Sequence, residues 1–161
     1  MELYKILIVD DEEEIRLGVI KKINWEYYGF KVIGDASNGI EAWEKANNLK
    51  PDIVMTDIRM PFMDGLELGA KIQEVMPSTK IIIFSGCDDF EYAQGALRMG
   101  AINYLLKPVD EEELLDSVKR CVEELKKAVE VLEKIDINAL NEAVDNLGKA
   151  VSPLARLFGG R

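Results

Sequence analysis

The sequence predicts an α/β protein: a doubly wound, five-stranded parallel sheet with five flanking helices, followed by a C-terminal helical extension. Two patterns support this fold class. Five short apolar runs are bounded by turn residues, and a stretch with helical spacing separates each run from the next. Because parallel neighbours need a crossover, and helical crossovers are right-handed, strands that alternate with helices form such a sheet.

The predicted strands are apolar over most of their length, which is typical of parallel strands that are covered on both faces. We expect the second strand to be shorter than the first. The strands are Tyr4 to Val9, Lys31 to Asp35, Ile53 to Met55, Lys80 to Ser85 and Ala101 to Leu106.

The predicted helices carry apolar residues three and four positions apart. Proline or glycine stands at several of their ends, as at Pro51, Pro77 and Gly100. Acidic residues occupy the first turns of the first and last helices, where they suit the helix dipole. The helices are Glu12 to Ile23, Ser37 to Lys50, Leu66 to Met76, Asp88 to Met99, and one that begins at Glu111 after an Asp110 cap.

Composition restricts the possible functions. The 161 residues suit one domain with an appendage, and 48% hydrophobic with 31% charged residues indicates a soluble chain. The net charge of -10 argues against binding to nucleic acid or anionic membrane, because both need a basic face. We therefore expect any DNA contact to come from a partner or another domain. No apolar run approaches the roughly 20 residues of a membrane span, so we expect a cytoplasmic location.

Histidine is absent, which excludes a histidine relay, a serine–histidine–aspartate triad and a histidine-ligated metal. The two cysteines, Cys87 and Cys121, are too few and too far apart for a metal knuckle or a framework of disulfides. Any metal site must therefore be built from oxygen ligands.

Polar side chains stand at the carboxyl ends of four predicted strands, and these ends converge at one edge of the sheet. Carboxylates that lie close together repel one another and need a cation. Mg²⁺ fits best, because it takes one or two carboxylates, waters and phosphate oxygens. A lysine and a hydroxyl nearby suit phosphoryl transfer to a carboxylate, with Asp57 at the centre. The residues are Asp10, Asp11, Asp57, Ser85 and Lys107.

The motifs around these residues resemble the receiver domain of two-component response regulators over about residues 1 to 125. The combination is highly specific, although each motif alone is weak. The Ser-Gly pair followed by Asp89 to Ala93 (Asp-Phe-Glu-Tyr-Ala) is similar to receivers that precede arabinose-regulator-type helix-turn-helix domains. The matching motifs are Val9 to Glu12, Asp57 to Pro61, Met63 to Gly65, Phe84 to Gly86 and Tyr104 to Pro108.

The resemblance implies a flavodoxin-like strand order 2-1-3-4-5 and a phosphorylation-dependent switch rather than an enzyme with an external substrate. It implies a sensor histidine kinase as partner, pairing through the fourth and fifth helices, and transcriptional regulation by the full-length parent. It assigns Asp57 as phosphoacceptor and places Mg²⁺ on Asp10, Asp11, Asp57 and the backbone carbonyl of Arg59.

The remaining roles that the resemblance implies concern the response to phosphate. Lys107 and Ser85 would bind it, and Tyr104 would turn inward when Ser85 moves. Arg59 and Cys87 lie two positions after the acceptor and the hydroxyl, where they would tune phosphate lifetime. Two structural expectations complete the set, a cis bond before Pro108 and a structural Gly65.

Other interpretations stay open. Single aspartates at strand ends are most often helix caps, Ser85 fits a turn hydroxyl, and Tyr104 fits the core. A haloacid-dehalogenase-type phosphatase would set its nucleophile in Asp-x-Asp, whereas Asp10 and Asp11 are adjacent. A flavin-binding module would need a hydroxyl- and glycine-rich phosphate loop where Glu12 to Glu14 stand. A metal-independent receiver used only as a scaffold is disfavoured, because the acidic set is intact.

Residues 126 to 161 resemble no family that we recognise. An apolar stripe with four-three spacing continues the fifth helix, and a second stripe follows a register break at Asp136. Ser152-Pro153 predicts a last short helix, closed by Gly159-Gly160. A dimerisation element, a self-docking hairpin, a remnant linker and an engineered addition are all compatible with this pattern. The stripes are Val118, Val122, Leu125, Val129 and Leu132, then Leu140, Val144, Leu147, Val151, Leu154 and Phe158.

Overall fold

A computed structural model describes residues 2–86, 90–135 and 137–158, the last of these as backbone only from residue 150. The chain divides into two compact units, Met1–Leu125 and Lys126–Arg161. None of the described helices has an apolar stretch long enough to cross a membrane.

The first unit is built on one five-stranded parallel sheet, and the strand order 2-1-3-4-5 confirms the predicted fold class. The strands are β1 (Tyr4–Val9), β2 (Phe30–Ala36), β3 (Ile53–Asp57), β4 (Lys80–Ser85) and β5 (Asn103–Leu106). The helices are α1 (Glu13–Lys22), α2 (Gly39–Leu49), α3 (Gly65–Val75), α4 (Phe90–Met99), α5 (Glu111–Glu133) and α6 (Ile137–Phe158), and a short 3-10 helix covers Trp25–Tyr28.

Alternate residues of each central strand enter two separate cores, because side chains along a strand point to opposite faces. Ile6 and Ile8 of β1 pack on the face covered by α1 and α5. Leu7 and Val9 pack on the face covered by α2, α3 and α4. All four are fully buried, so the site at the strand ends rests on a rigid support.

Helix starts are fixed by side-chain caps close to the strand ends. Asn38 accepts a hydrogen bond from Glu41 N, and Asp64 accepts one from Glu67 N at 2.8 Å. Asp110 caps α5, as predicted, by accepting from Glu113 N at 3.2 Å. Phe62, in the loop between β3 and α3, has a positive φ of 72°.

Two predictions about element boundaries are wrong. β2 is seven residues long against six for β1, because an extra residue, Ile33, bulges between the pairs Ile6–Val32 and Leu7–Gly34. The predicted short helix at Ser152-Pro153 is not separate, since α6 continues through it. A proline removes one helical hydrogen bond, but the three-four apolar spacing on both sides of it favours one helix.

Several predicted features lie outside the described residues. These are Cys87, the start of the fourth helix at Asp88, the break at Asp136, and the Gly159-Gly160 closure.

Candidate functional site

The carboxyl ends of β1, β3, β4 and β5 bring the predicted polar side chains to one edge of the sheet. Asp10 directly follows β1, Asp57 is the last residue of β3, Ser85 is the last residue of β4, and Lys107 directly follows β5. Asp10, Asp57 and Ser85 are 0%, 5% and 2% exposed, respectively, so the floor of the site is buried. Asp11 is exposed at its rim.

Four carboxylates form one cluster at this edge. Asp10, Asp11, Glu12 and Asp57 each offer an oxygen, and these oxygens all lie within 4.8 Å of one another. Two of the residues are buried and two are exposed, so the cluster opens to solvent on one side. Such an all-oxygen set is typical of sites for a hard divalent cation.

Lys107 is the cation that faces this cluster. Its Nζ atom lies 2.8 Å from Asp10 Oδ2, 3.0 Å from Asp57 Oδ2 and 3.7 Å from Glu12 Oε1. Nζ also lies 5.6 Å from the centre of the Phe84 ring. The backbone N–H of Lys107 donates to Ser85 O at 2.8 Å, which fixes the start of the loop after β5.

Burial and mutual repulsion change the acidities in the cluster. Burial raises the pKa of Asp57, an effect that Asp10 strengthens and that the hydrogen bond and charge of Lys107 partly offset. Burial, followed by the charge of Asp10, raises the pKa of Asp11. Burial alone would lower the pKa of Lys107, but its pairing with the negative carboxylates of Asp10 and Asp57 outweighs this and raises it. The lysine therefore stays charged at neutral pH.

The surroundings of Asp10 fit a metal ligand. Asp10 Oδ1 accepts a hydrogen bond from Glu12 N at 2.9 Å, which fixes the carboxylate. Among the described residues, Asp10 Oδ2 is a buried side-chain oxygen that accepts no aligned hydrogen bond, although Lys107 Nζ is near. A buried anionic oxygen that is oriented in this way suits a divalent cation.

The backbone around Asp57 is tightly packed. Ile58 N donates to Asp57 Oδ1 at 2.7 Å, so this oxygen is oriented while Oδ2 faces Lys107. Gly65 N donates to Ile58 O at 2.7 Å, and a Cβ on Gly65 would lie 2.1 Å from Asp57 O. Only glycine allows this approach of the α3 start to the backbone of Asp57.

The other predicted residues lie around this centre. Arg59 is exposed, with its guanidinium carbon 5.3 Å from the centre of the Tyr92 ring of α4. Tyr104 is half-buried and packs on the core face that includes Ala96 of α4. The peptide bond before Pro108 is cis, the isomer that the resemblance implies.

Arg16 is not among the predicted site residues, yet it contacts the site. Its NH1 atom donates to Asp10 O at 2.8 Å, and its Nε atom lies 2.5 Å from Asp35 Oδ2 at the end of β2. The helical spacing places Arg16 three and four positions before Val19 and Ile20, on the side of α1 that packs on the sheet, but it does not show which residues the side chain reaches.

Comparison with known proteins identifies the family. A family model described as the response regulator receiver domain matches residues 6–119. The chain belongs to this family. Receivers are the phosphorylation-switched domains of two-component systems.

Two of the relatives are named as transcriptional regulatory proteins. The uncharacterized transcriptional regulatory protein YesN of Bacillus subtilis is 46% identical over 125 residues, which cover 78% of this chain and 34% of that protein. The transcriptional regulatory protein HptR of Staphylococcus aureus is 39% identical over 112 residues, 70% of this chain and 44% of that protein. This receiver chain thus spans less than half the length of these relatives.

Solved structures agree with the fold. The receiver domain of AraT, a response regulator from Geobacillus stearothermophilus, superposes with a TM-score of 0.73 at 38% identity, over 78% of this chain and 98% of that one. A two-component transcriptional regulator AraC from Clostridium phytofermentans gives a TM-score of 0.71 at 40% identity, over 77% and 96%.

Proposed function

We propose that this receiver accepts a phosphoryl group on Asp57 with the help of Mg²⁺. The observation that carries the proposal is the placement of Asp57, a buried carboxylate that belongs to the acidic cluster and faces the Lys107 ammonium. Asp10, Asp11, Asp57 and the backbone carbonyl of Arg59 would hold the metal. Bound there, Mg²⁺ would neutralise charge on the transferring phosphoryl group.

Transfer is mostly a matter of positioning. With acetyl phosphate as donor, one Asp57 oxygen forms a bond to phosphorus while the bond from phosphorus to the acetate oxygen breaks, and acetate leaves with that electron pair. Lys107, which lies 3.0 Å from Asp57 Oδ2, is placed to bind an oxygen of the incoming group. Ile58 N keeps the other oxygen of Asp57 oriented.

The response to the phosphoryl group would pass through β4 and β5. Ser85 would donate its hydroxyl to the phosphate, and Tyr104 would turn inward when Ser85 moves. Arg59 and Cys87 would tune the lifetime of the phosphorylated state. The chain would act on no other substrate, and it would promote only its own phosphorylation and dephosphorylation.

The test is labelling of the intact protein. Wild type and Asp57→Asn are incubated with acetyl phosphate, with Mg²⁺ or with EDTA, and weighed by mass spectrometry. We expect one added phosphoryl group in the wild type with Mg²⁺, and none in Asp57→Asn or in EDTA. Asp52→Asn is the matched control, because Asp52 is half-buried at the opposite end of β3 and accepts from Lys5 N. Equal labelling of wild type and Asp57→Asn would refute the assignment.

The proposed partners are based on family membership and on the net charge of the chain. We propose a sensor histidine kinase as phosphodonor, a cytoplasmic location, and regulation of transcription by a longer parent protein. The net charge of -10 supports a chain that does not itself bind DNA or membranes.

We further propose that residues 1–125 form the receiver, residues 126–161 form an association element, and the chain pairs with a second copy. The α4–β5 surface exposes Leu97 (69%) and Leu106 (44%). Apolar residues three and four apart on α6 are also exposed, with Ile137 at 68% and Leu147 at 66%. α6 is about 33 Å long at 1.5 Å per residue, long enough for a helix-to-helix seam of about three heptads.

Association is measured by light scattering on the full chain and on a chain that ends at Lys127, both unphosphorylated. We expect a dimeric mass for the full chain and a monomeric mass for the short one. Leu140→Glu with Leu147→Glu should also give a monomer, because each places a charge in the seam. Equal monomeric masses for the full and shortened chains would rule out pairing through the tail.

A further inference from the structure

We propose that Arg16 is a positioning residue of the metal site, which holds the peptide of Asp10 so that one carboxylate oxygen faces the acidic cluster. This inference rests on the proposed function. It concerns a residue on α1 whose guanidinium bonds the backbone carbonyl of Asp10 and not a carboxylate oxygen of the cluster.

The hydrogen bonds of Asp10 show what Arg16 adds. Asp10 N donates to Ala36 O at 3.1 Å, and Asp10 Oδ1 accepts from Glu12 N at 2.9 Å. Asp10 O accepts from Arg16 NH1 at 2.8 Å. Three of its four polar atoms are thus held in place, and the remaining atom, Oδ2, faces Lys107. Within the described part of the chain no backbone group donates to Asp10 O, and it is Arg16 that fixes this atom.

Arg16 is itself well anchored. Its side chain is 13% exposed, its Nε atom pairs with Asp35 Oδ2, and its backbone N donates to Glu12 O in the first turn of α1. Arginine can do this because its planar guanidinium presents several donors in a fixed geometry, whereas lysine has a single nitrogen. One side chain therefore ties together the ends of β1 and β2 and the start of α1.

When Arg16 is replaced, the loss of its charge and the loss of its positioning contact should change the affinity for a cation in opposite directions. Loss of a positive charge beside an acidic cluster strengthens cation binding, and it leaves Asp35 as a further unpaired carboxylate. Loss of a positioning contact weakens cation binding, and second-shell partners of metal ligands typically contribute about 10- to 100-fold in affinity. The sign of the change therefore distinguishes the two effects.

Three variants separate them. Arg16→Lys keeps the charge but leaves one nitrogen to serve both Asp10 and Asp35. Arg16→Met combined with Asp35→Asn removes one charge of each sign, so the net charge stays at -10. Lys45→Met is the charge control, because Lys45 Nζ donates to Asp35 O and pairs with Glu41, and no described bond joins it to Asp10.

The readouts are the Mg²⁺ dissociation constant by calorimetry, the unfolding temperature without metal, and the amide NMR signal of Glu12 without metal. We expect Mg²⁺ to bind about tenfold more weakly to Arg16→Lys and to the double variant, and no more weakly to Lys45→Met. We also expect the Glu12 signal to shift in both Arg16 variants, because its acceptor, Asp10 Oδ1, moves.

A lower unfolding temperature with Mg²⁺ affinity within twofold of the wild type would show a merely structural role and overturn the proposal. Equal weakening in Lys45→Met would overturn it too. If the wild type binds no Mg²⁺ and Asp57 takes no label, the proposed function fails. In that case the Glu12 signal still decides whether Arg16 positions Asp10, and an unchanged signal refutes it.

Discussion

Replacing Gly65 with alanine should damage the fold and the site together. The added Cβ would lie 2.1 Å from Asp57 O and 3.0 Å from Ile58 Cα, whereas ordinary contact begins at 3.4 Å. The start of α3 would have to move by about 1 Å, because packed interiors have no spare space. The move would strain the 2.7 Å bond from Gly65 N to Ile58 O. Overpacking of this kind costs about 1–3 kcal/mol.

Gly18→Ala is the matched control, because the chemical change is the same and the surroundings differ. Gly18 lies exposed in α1, where an added Cβ would meet no atom within 4 Å apart from its chain neighbours and the backbone of its own helix. Alanine in a helix interior is favoured over glycine by roughly 0.5–1 kcal/mol, so this variant should be more stable than the wild type.

The assay is urea unfolding followed by the fluorescence of the two tryptophans, of which Trp25 is 5% exposed, combined with acetyl phosphate labelling. We expect Gly65→Ala to unfold at lower urea and to label more slowly, because Asp57 shifts. Gly18→Ala should unfold at higher urea and label normally. A Gly65→Ala protein that is as stable as the wild type and labels at the same rate would refute the reasoning.

Two further outcomes follow from the carboxylate cluster and from Cys121. Mg²⁺ should raise the unfolding temperature, since a ligand at 100 times its Kd adds about 2.7 kcal/mol to the free energy of unfolding. Asp11→Ala should respond less to Mg²⁺, and without metal it should unfold at a higher temperature because one like charge is gone. A response to Mg²⁺ equal to that of the wild type in calorimetry would exclude Asp11 as a ligand. Burial raises the pKa of Cys121 from 9.0 to about 12. In a Cys87→Ser background, iodoacetamide at pH 8 should therefore modify Cys121 only on unfolding. Above pH 9 the unfolded thiol loses its proton first, so stability should fall as pH rises, and a flat profile between pH 9 and 11 would contradict this.

The sequence predicts the strand ends well because strand direction and side-chain chemistry are local properties. Asp10, Asp57 and Lys107 each follow an apolar run, and parallel strands must bring such positions to one edge. Their distances could not be predicted, because they depend on register. The bulge at Ile33 shows this, since nothing in the apolar pattern of β2 marks it.

Local sequence patterns also cannot predict the contacts that long polar side chains make between elements. Arg16 stands three and four positions before Val19 and Ile20, so the spacing places it on the apolar side of α1. Its bonds to Asp10 and Asp35, however, depend on how α1 packs. At Ser152-Pro153 the local signal for a helix start competes with apolar spacing that continues, and the continuous helix prevails. Local motifs thus indicate the candidate site, whereas the contacts that hold its residues in place depend on how the elements pack.

The position of Lys107 determines how the negative charge of the acidic cluster is balanced before a cation binds. With Nζ within 3.0 Å of both Asp10 and Asp57, the ammonium acts as a tethered counter-ion for the cluster. Its effective concentration is fixed by the chain, so it neither dilutes nor exchanges with the solvent. An incoming cation must compete with it for the same oxygens. The cluster is therefore partly neutralised before any cation binds, and a measured affinity would reflect the replacement of the ammonium by that cation.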